Sequence, residues 1–521
     1  MRSALGRTAT ILAVVIVAGL SVPPLIVLVV QAWLGRSAPT VPASRLVELL
    51  GNTLVLTALV VVVSTVLGTA TALLTRRTSL PGRRVWSVLV CVPLVLPAYV
   101  FAVALSGMLG GGGVLTGWLA PFGVDRLPPA TGLWAATACL AIVGVPIVHT
   151  LVGAALARQD PALRDSARLL GDGPIRVFAR VTLPHLRGTL ALAGCVVALY
   201  VVSDFGAVSM LRYDTFTRAV YAQFRGRVDL APAFALCGVL VLVALALIVA
   251  QVVLRGRERA VAARARRMAP AATGRGVALA GTALLAVVVL CSTVLPLATL
   301  ATWAARGLAN GVQPGPVLAE AGNALYFALL AGAVTTALAV PVALVARGRS
   351  PLARILDGLP WVTHSLPHLA VGLAVLVLSL AGPRALYQST TTLVLAYAVL
   401  FLPLALGPLV IALRRIDQRL IEVSRTLGDG PARTGLRVVA PLVRRSALVG
   451  AALVFFAALH ELPVTLLLRP TGSETLAIRV WGAIVEGQYT TASIAALLMV
   501  ALSVPLLALH ERSAARAALS A

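Results

Sequence analysis

The stretch DSARLLGDGPIRVFARVTLP (165–184) returns as EVSRTLGDGPARTGLRVVAP (422–441), 257 positions later (422 − 165). Each copy opens on an acid (Asp165, Glu422), places a glycine six positions on (Gly171, Gly428) and closes on a proline (Pro184, Pro441). Both are polar, arginine-rich segments between long apolar runs. Each therefore reads as a cytoplasmic loop of a membrane protein, and the duplication as a docking device rather than a linker. Local chemistry predicts a short helix, a turn and a second helix. Asp160 is placed as an N-cap with Pro161 at the first helical position, and Asp417 takes the matching place in the second copy. Gly171 and Gly428 supply the left-handed residue that stops the first helix, and the proline of Gly-Asp-Gly-Pro bars its continuation. A plain amphipathic connector would show the same local pattern, but not its duplication at fixed spacing.

The surrounding chain fits a bilayer. It has 521 residues, 59% hydrophobic and 12% charged, with a mean hydropathy of +0.97, whereas soluble domains carry about 25% charged residues. The net charge of +25 sits as arginines in short loops between apolar runs, the pattern of cytoplasmic charge bias rather than a nucleic-acid footprint. No lysine occurs in the chain. The phosphate loop of ATPases needs one, so any ATP must be hydrolysed by a partner. Five cysteines (Cys91, Cys139, Cys195, Cys237, Cys291) stand singly in apolar runs and read as small hydrophobes, not ligands or disulfides.

A helix needs about 20 apolar residues to span the hydrocarbon core, and twelve runs qualify: 8–34, 51–75, 86–108, 131–157, 188–211, 231–254, 276–302, 323–346, 357–380, 391–413, 445–468 and 489–510. The first is too long for a signal-peptide core and is kept as a retained span. Arg76, Arg77, Arg83 and Arg84, the seven arginines between Arg255 and Arg275, and both repeated loops fall on one side. That side, with both termini, is expected in the cytoplasm. Arg212, Arg218, Arg225 and Arg227 fall on the outer side against the trend. The repeat extends further: the segment from Gly51 resembles that from Gly322 in pattern. An even number of helices per half makes the repeats parallel, related by an axis along the membrane normal. The expected fold is an all-α integral membrane protein of about twelve transmembrane helices in two parallel six-helix repeats, 1–254 and 276–521, joined by a basic linker, 255–275.

The spacing acid, two small residues, three others, Gly, nine others, aliphatic, one other, Leu-Pro resembles the Glu-Ala-Ala loop of binding-protein-dependent ABC importer permeases. Asp165, Ser166, Ala167, Gly171, Val181, Leu183 and Pro184 fit it in the first copy, and Glu422, Ser424, Gly428, Val438 and Pro441 in the second. Asp165 for Glu, Val423 for the first Ala and Ala440 for Leu depart mildly. The resemblance implies that each loop is a coupling helix seated in a cytoplasmic ATPase subunit, two per chain. ATP and magnesium would be bound there and no cofactor by this chain. VSDFGAVSMLRYDTFTRAVYAQF (202–224) and HELPVTLLLRPTGSETLAIRVW (460–481) look like segments of fused ferric iron permeases; thiamine permeases share the two-half architecture. The implied setting is a bacterial plasma membrane, with an external or periplasmic substrate-binding protein as a further partner and no nucleic acid.

Asp204 and Glu461 are also 257 apart and so occupy equivalent positions in the fifth and eleventh runs. From Gly188, Asp204 lies about 24 Å along a helix, beyond the midplane toward the outside. A carboxylate in hydrocarbon costs roughly 2.5–3.5 kcal/mol, so it must face a cavity, a partner or a protonating environment. One reading makes the two acids line a cation path across the pseudo-twofold axis. The other makes each a helix cap or an ion-pair partner of Arg212 or Arg469, which match at the same offset. His460 beside Glu461 could join the path, with Ser203 as its counterpart, or bond locally. His364 and His368 share metal-ligand spacing but lack a third ligand, so no metal site is expected. Tyr213 and Tyr221 suit an interface. No nucleophile triad, metal-hydrolase motif or dinucleotide fingerprint occurs, so the chain is not expected to be an enzyme. Carboxylate oxygens suit a hard cation, or an organic ammonium group. The expected function is import of ferric iron, the alternatives being thiamine, another cationic amine or an anion. In a competing proton-coupled secondary transporter the acids would be proton relays.

Overall fold

The computed structural model describes residues 4–34, 41–110, 113–124, 127–159, 161–226, 230–258, 274–313 and 315–503. The expected N-cap Asp160, Arg227 and most of the 255–275 linker lie outside the described residues. The first half comprises α1 (Ala4–Leu34), α2 (Ala43–Arg77), α3 (Arg83–Cys91), α4 (Ala98–Leu109), α5 (Gly132–Arg158), α6 (Pro161–Leu169), α7 (Pro174–Ser203), α8 (Gly206–Met210), α9 (Phe216–Gly226) and α10 (Ala231–Glu258). The second comprises α11 (Arg275–Ala309), α12 (Val317–Ala346), α13 (Pro351–Ser365), α14 (His368–Ala381), α15 (Thr390–Arg414), α16 (Gln418–Thr426), α17 (Pro431–Leu459), α18 (Pro463–Leu468), α19 (Leu476–Val485) and α20 (Tyr489–Ser503). Among the described residues, ten helices are long and apolar enough to cross a membrane, or eleven if the bent pair α13–α14 counts as one span.

Four of the twelve apolar runs are not single helices. The run 357–380 breaks at Leu366-Pro367, where α13 and α14 diverge by 103°. Its counterpart, 86–108, passes through a tight turn (Val92–Val95) and Pro97 before α4 begins. Proline disfavours the α conformation of the residue before it, so each Leu-Pro pair interrupts its span. The runs 188–211 and 445–468 end at Ser203 and Leu459, and short helices follow. The twelfth run is described only to Ser503.

Elsewhere proline widens a helix instead of ending it. In α7 Leu183 donates to Phe178 across a π-turn just before Pro184; Ala440 does the same to Gly435 before Pro441, and Leu295 to Leu290 before Pro296. Proline lacks an N–H and crowds the carbonyl four residues back. One wide turn relieves the clash while keeping the rod continuous.

The two halves exchange their first helices. α1 packs on α12, α13 and α14 of the second half as well as on α10, while α11 lies against α3 and α4 of the first. Trp303 of α11 donates its indole N–H to the Gly107 carbonyl (2.9 Å) and stacks on Tyr489, ring centres 5.3 Å apart. The sequence boundary at 255–275 is therefore not a boundary of contacts. Within the first half, α2 and α5 approach through glycine: a Cβ on Gly68 would lie 2.6 Å from that of Val148, and one on Gly144 2.2 Å from the Ser64 hydroxyl. Small residues let helix backbones close in a bilayer, where apolar burial alone gives little drive. Large apolar side chains such as Ile11, Val29 and Trp33 point outward from α1, as a lipid-facing surface requires.

Candidate functional site

The repeated loops fold alike. In the first, Gly171 is left-handed (φ 88°), its N–H donates to Arg168 (3.0 Å) and that of Asp172 to Ala167 (3.1 Å). In the second, Gly428 (φ 88°) donates to Arg425 (3.0 Å) and Asp429 to Ser424 (3.1 Å). This pair of bonds is the Schellman closure. Pro174 and Pro431 then start the next helix. Asp417 caps α16 by accepting from the Arg419 N–H at 3.0 Å. Arg180 faces Asp172 at 3.7 Å, and Arg437 faces Asp429 at 3.3 Å. Asp165 and Glu422 are exposed, Ala167 and Ser424 are buried beneath the helices, and Pro184 and Pro441 lie exposed on the helices beyond. Each loop presents leucine outward: Leu170 is 86% exposed and Leu427 80%. These are equivalent positions, 257 apart.

Asp204 and Glu461 lie just past the ends of α7 and α17, not within continuous helices. The Asp204 carboxylate accepts N–H groups of Ala207 (3.0 Å) and Val208 (3.3 Å) at the start of α8. Glu461 accepts that of Val464 (3.1 Å) at the start of α18. Both therefore serve as caps, satisfying orphan helix donors. Among the described residues no salt bridge joins either acid to Arg212 or Arg469; Arg469 instead faces Glu474 at 3.5 Å. Ser203 ends α7, half-buried. His460 donates from Nδ1 to the Phe456 carbonyl (2.8 Å), a local bond, while its Nε2 lies 3.0 Å from the Ser503 hydroxyl of α20, 43 positions on.

Three features escaped the sequence reading. His368, across the Leu366-Pro367 break from His364, puts Nδ1 2.8 Å from the Glu461 carboxylate, which is only 6% exposed. His364 turns instead to the Leu400 carbonyl at 2.8 Å. Tyr99, two residues after Pro97, packs its ring where a Cβ on Gly206 would stand, 2.9 Å from the tyrosine Cβ, and donates its hydroxyl to the His460 carbonyl (3.4 Å). One side chain thus spans from the cap region of one acid to that of the other. Finally, Tyr221 of α9 and Trp481 of α19 meet edge-on at 6.0 Å, with Phe205 4.7 Å from the first ring and 5.0 Å from the second. Tyr221 and Trp481 are equivalent once three extra residues after Arg469 are allowed for, so the aromatic contact sits on the pseudo-twofold axis.

Two swapped, pseudo-symmetric helical halves, acids at broken spans and a matched pair of leucine-presenting loops define a multi-pass membrane permease. The family model described as the binding-protein-dependent transport system inner membrane component matches residues 64–267 and 335–518, and the chain belongs to that family. It is 27% identical over 482 residues to a Fe(3+)-transport system permease of Haemophilus influenzae, covering 91% of each chain. A putative ferric transport system permease of the same species is 23% identical over 77% of this chain and 67% of its own length. A putative 2-aminoethylphosphonate transport system permease of Salmonella typhimurium is 33% identical over 24% of this chain and 43% of its own.

Proposed function

We infer that this chain is the permease of an ATP-driven ferric iron importer. It would work with two copies of a cytoplasmic ATP-binding-cassette subunit and an external substrate-binding protein. The observation that carries the substrate is the 27% identity to a ferric iron permease along 91% of both chains. The two Schellman-closed loops, each offering an exposed leucine, support one ATPase subunit per half. ATP and magnesium belong to those subunits, since a chain without lysine lacks the residue a phosphate loop uses. The arginine bias supports a cytoplasmic side for the loops and both termini, in the plasma membrane of a bacterium.

In this reading ATP-driven closure of the ATPases moves α6 and α16, and the rigid α7 and α17 carry that movement to the acid-bearing breaks. The Tyr221–Trp481 contact must part for cargo to pass along the axis. Asp204, Glu461 and His368 would meet the ferric ion, with Ser203 and His460 flanking. Among the described residues no three His, Cys, Asp or Glu side chains cluster as a metal site.

The test is uptake of radiolabelled ferric iron by proteoliposomes holding the complex of chain and ATPases, with loaded binding protein outside and ATP inside. ATP-dependent accumulation is expected. If the cognate binding protein instead carries thiamine, an amine or an oxyanion and only that cargo accumulates, the iron assignment is wrong.

A further inference from the structure

Beneath the first coupling helix lies a pocket of about 330 Å³ that the transport reading leaves unused. It is lined on one side by Arg77, Arg164 and Arg168 and on the other by apolar groups including Leu73, Ile175 and Phe178. Arg164 is 9% exposed, and its Nε has no hydrogen-bond partner. Gln159, buried at the end of α5, accepts from the Arg77 guanidinium, while its own Nε2 has no partner either. Arg77 is held in place by a second bond, to the Leu156 carbonyl at 2.9 Å.

The other half shows what this position is without such a function. Counting 257 on, Arg164 becomes Ile421, which is 7% exposed and packs under α16 as an ordinary apolar anchor. Gln159 becomes Ile416, and the position matching Arg77 falls at Gly348 rather than a basic residue. The fold thus accepts isoleucine at the buried site, and one half carries a guanidinium there instead. A buried charge is strongly disfavoured without a partner. Among the described residues no acid forms a salt bridge with Arg164 or Arg168: Asp165 is exposed on the same short helix and Asp172 faces Arg180. Burial and the neighbouring Arg168 hold the Arg164 guanidinium below its ordinary pKa, against a smaller opposing pull from Asp165.

We propose that this pocket binds a phosphate-bearing anion, its phosphate seated on Arg164 and Arg168. Arginine forks match phosphate oxygens in a bidentate way. The pocket lies at the cytoplasmic end of α2, where the helix leaves the bilayer, and half its lining is apolar. Basic pockets between helices at that level take anionic lipid headgroups. The phosphate can come from an anionic phospholipid or from free phosphate, and the lipid source fits the amphiphilic lining. A ligand here would rest against α6 and so bear on only one of the two coupling loops.

The purified complex of chain and ATPases, stripped of lipid in detergent, is titrated with short-chain phosphatidylglycerol, phosphatidylcholine of equal chain length, and inorganic phosphate, with binding read by native mass spectrometry. Phosphatidylglycerol is expected to bind at least about tenfold more tightly than phosphatidylcholine, and Arg164→Ile, which copies the other half, to lose that difference. Should Arg164→Ile not fold, Arg164→Lys keeps the charge without the fork and is expected to bind at an intermediate level. Binding by inorganic phosphate alone would support the site and name free phosphate as its source. Equal binding of all lipids by wild type and variant would overturn the proposal. So would an acidic ATPase side chain found paired with Arg164 in the assembled transporter.

Discussion

Laid over one another at an offset of 257, the two halves agree in backbone and disagree in chemistry. The repeated loops close with the same bonds to within a tenth of an ångström, and the two acids cap equivalent helices. Yet Glu461 has His368 beside it, whereas the matching residue of the first half, 270 positions earlier, is Ala98. Under the coupling helices the contrast reverses: the first half buries Arg164 where the second buries Ile421. In the proposed reading the shared features are those a two-fold machine needs twice, namely a docking turn, a π-turned lever and a capped break. The unshared ones surround a single cargo on an axis, or a site needed once. The asymmetric residues are therefore where specificity is expected.

The severest way to break the symmetry is at both docking turns together. Gly171→Arg with Gly428→Arg puts a side chain on two residues at φ 88°, a conformation costing a non-glycine residue roughly 1–2 kcal/mol, and adds bulk to the partner face. Loss of ATPase co-purification and of transport is expected. If the double variant still assembles and imports, the loops do not dock an ATPase. Next comes the acid pair. Asp204→Asn and Glu461→Gln keep the shape and the capping oxygens, so the short helices should persist. The double variant is expected to bind its ATPases normally while uptake falls to background. Normal uptake would leave the carboxylates as caps alone.

How far this comparison was readable in the sequence depends on the period of the signal. The docking loops, the parallel repeats and the pairing of Asp204 with Glu461 all follow from one constant offset. Their turn chemistry, Gly171 with Pro174 and Gly428 with Pro431, is local. The spans themselves were readable only as apolar length, which does not distinguish a through-going helix from one broken at Leu96-Pro97 or Leu366-Pro367, because proline also sits inside unbroken spans, as Pro146 does in α5 and Pro403 in α15. The exchange of α1 and α11 left no trace, since lipid-facing and partner-facing helices are equally hydrophobic in a bilayer. His368 was weighed with His364 as if on one helix face. The 103° bend separates them and delivers His368 to a carboxylate 93 positions away in sequence.

That contact gives the third prediction, one that acts on a single half. His368→Ala removes a 2.8 Å bond to a buried carboxylate. Hydrogen bonds to charged groups contribute about 1.5–3 kcal/mol, so import is expected to fall about tenfold or more, with ATPase docking intact. His368→Gln, which retains a donor, should recover part of the rate. No change in either variant would separate Glu461 from the transport path, and an equal loss in both would assign the effect to the imidazole itself.

The smallest expected effect tests how far the equivalence extends toward the outer face. Asn52 of α2 donates to the Asp214 carbonyl (3.1 Å), and Asn323 of α12 donates to the Glu474 carbonyl (3.0 Å). Each amide ties a long helix to the loop that precedes α9 or α19. The acids of those loops add ion pairs: Asp214 with Arg45 and Arg218, Glu474 with Arg469 and Arg479. The second half reinforces its tie with a less exposed pair, the buried Glu320 of α12 with Arg479 of α19, whereas Arg45 and Asp214 in the first half are each about one-third exposed. Asn52→Ala and Asn323→Ala each remove one amide bond, worth about 1 kcal/mol, and should lower the melting midpoint of the purified chain slightly while leaving import within about twofold of wild type. The drop should be greater for Asn52→Ala, because Glu320 still anchors α12 to α19 when Asn323 is lost. The reverse order would show that the buried ion pair depends on the asparagine rather than backing it up.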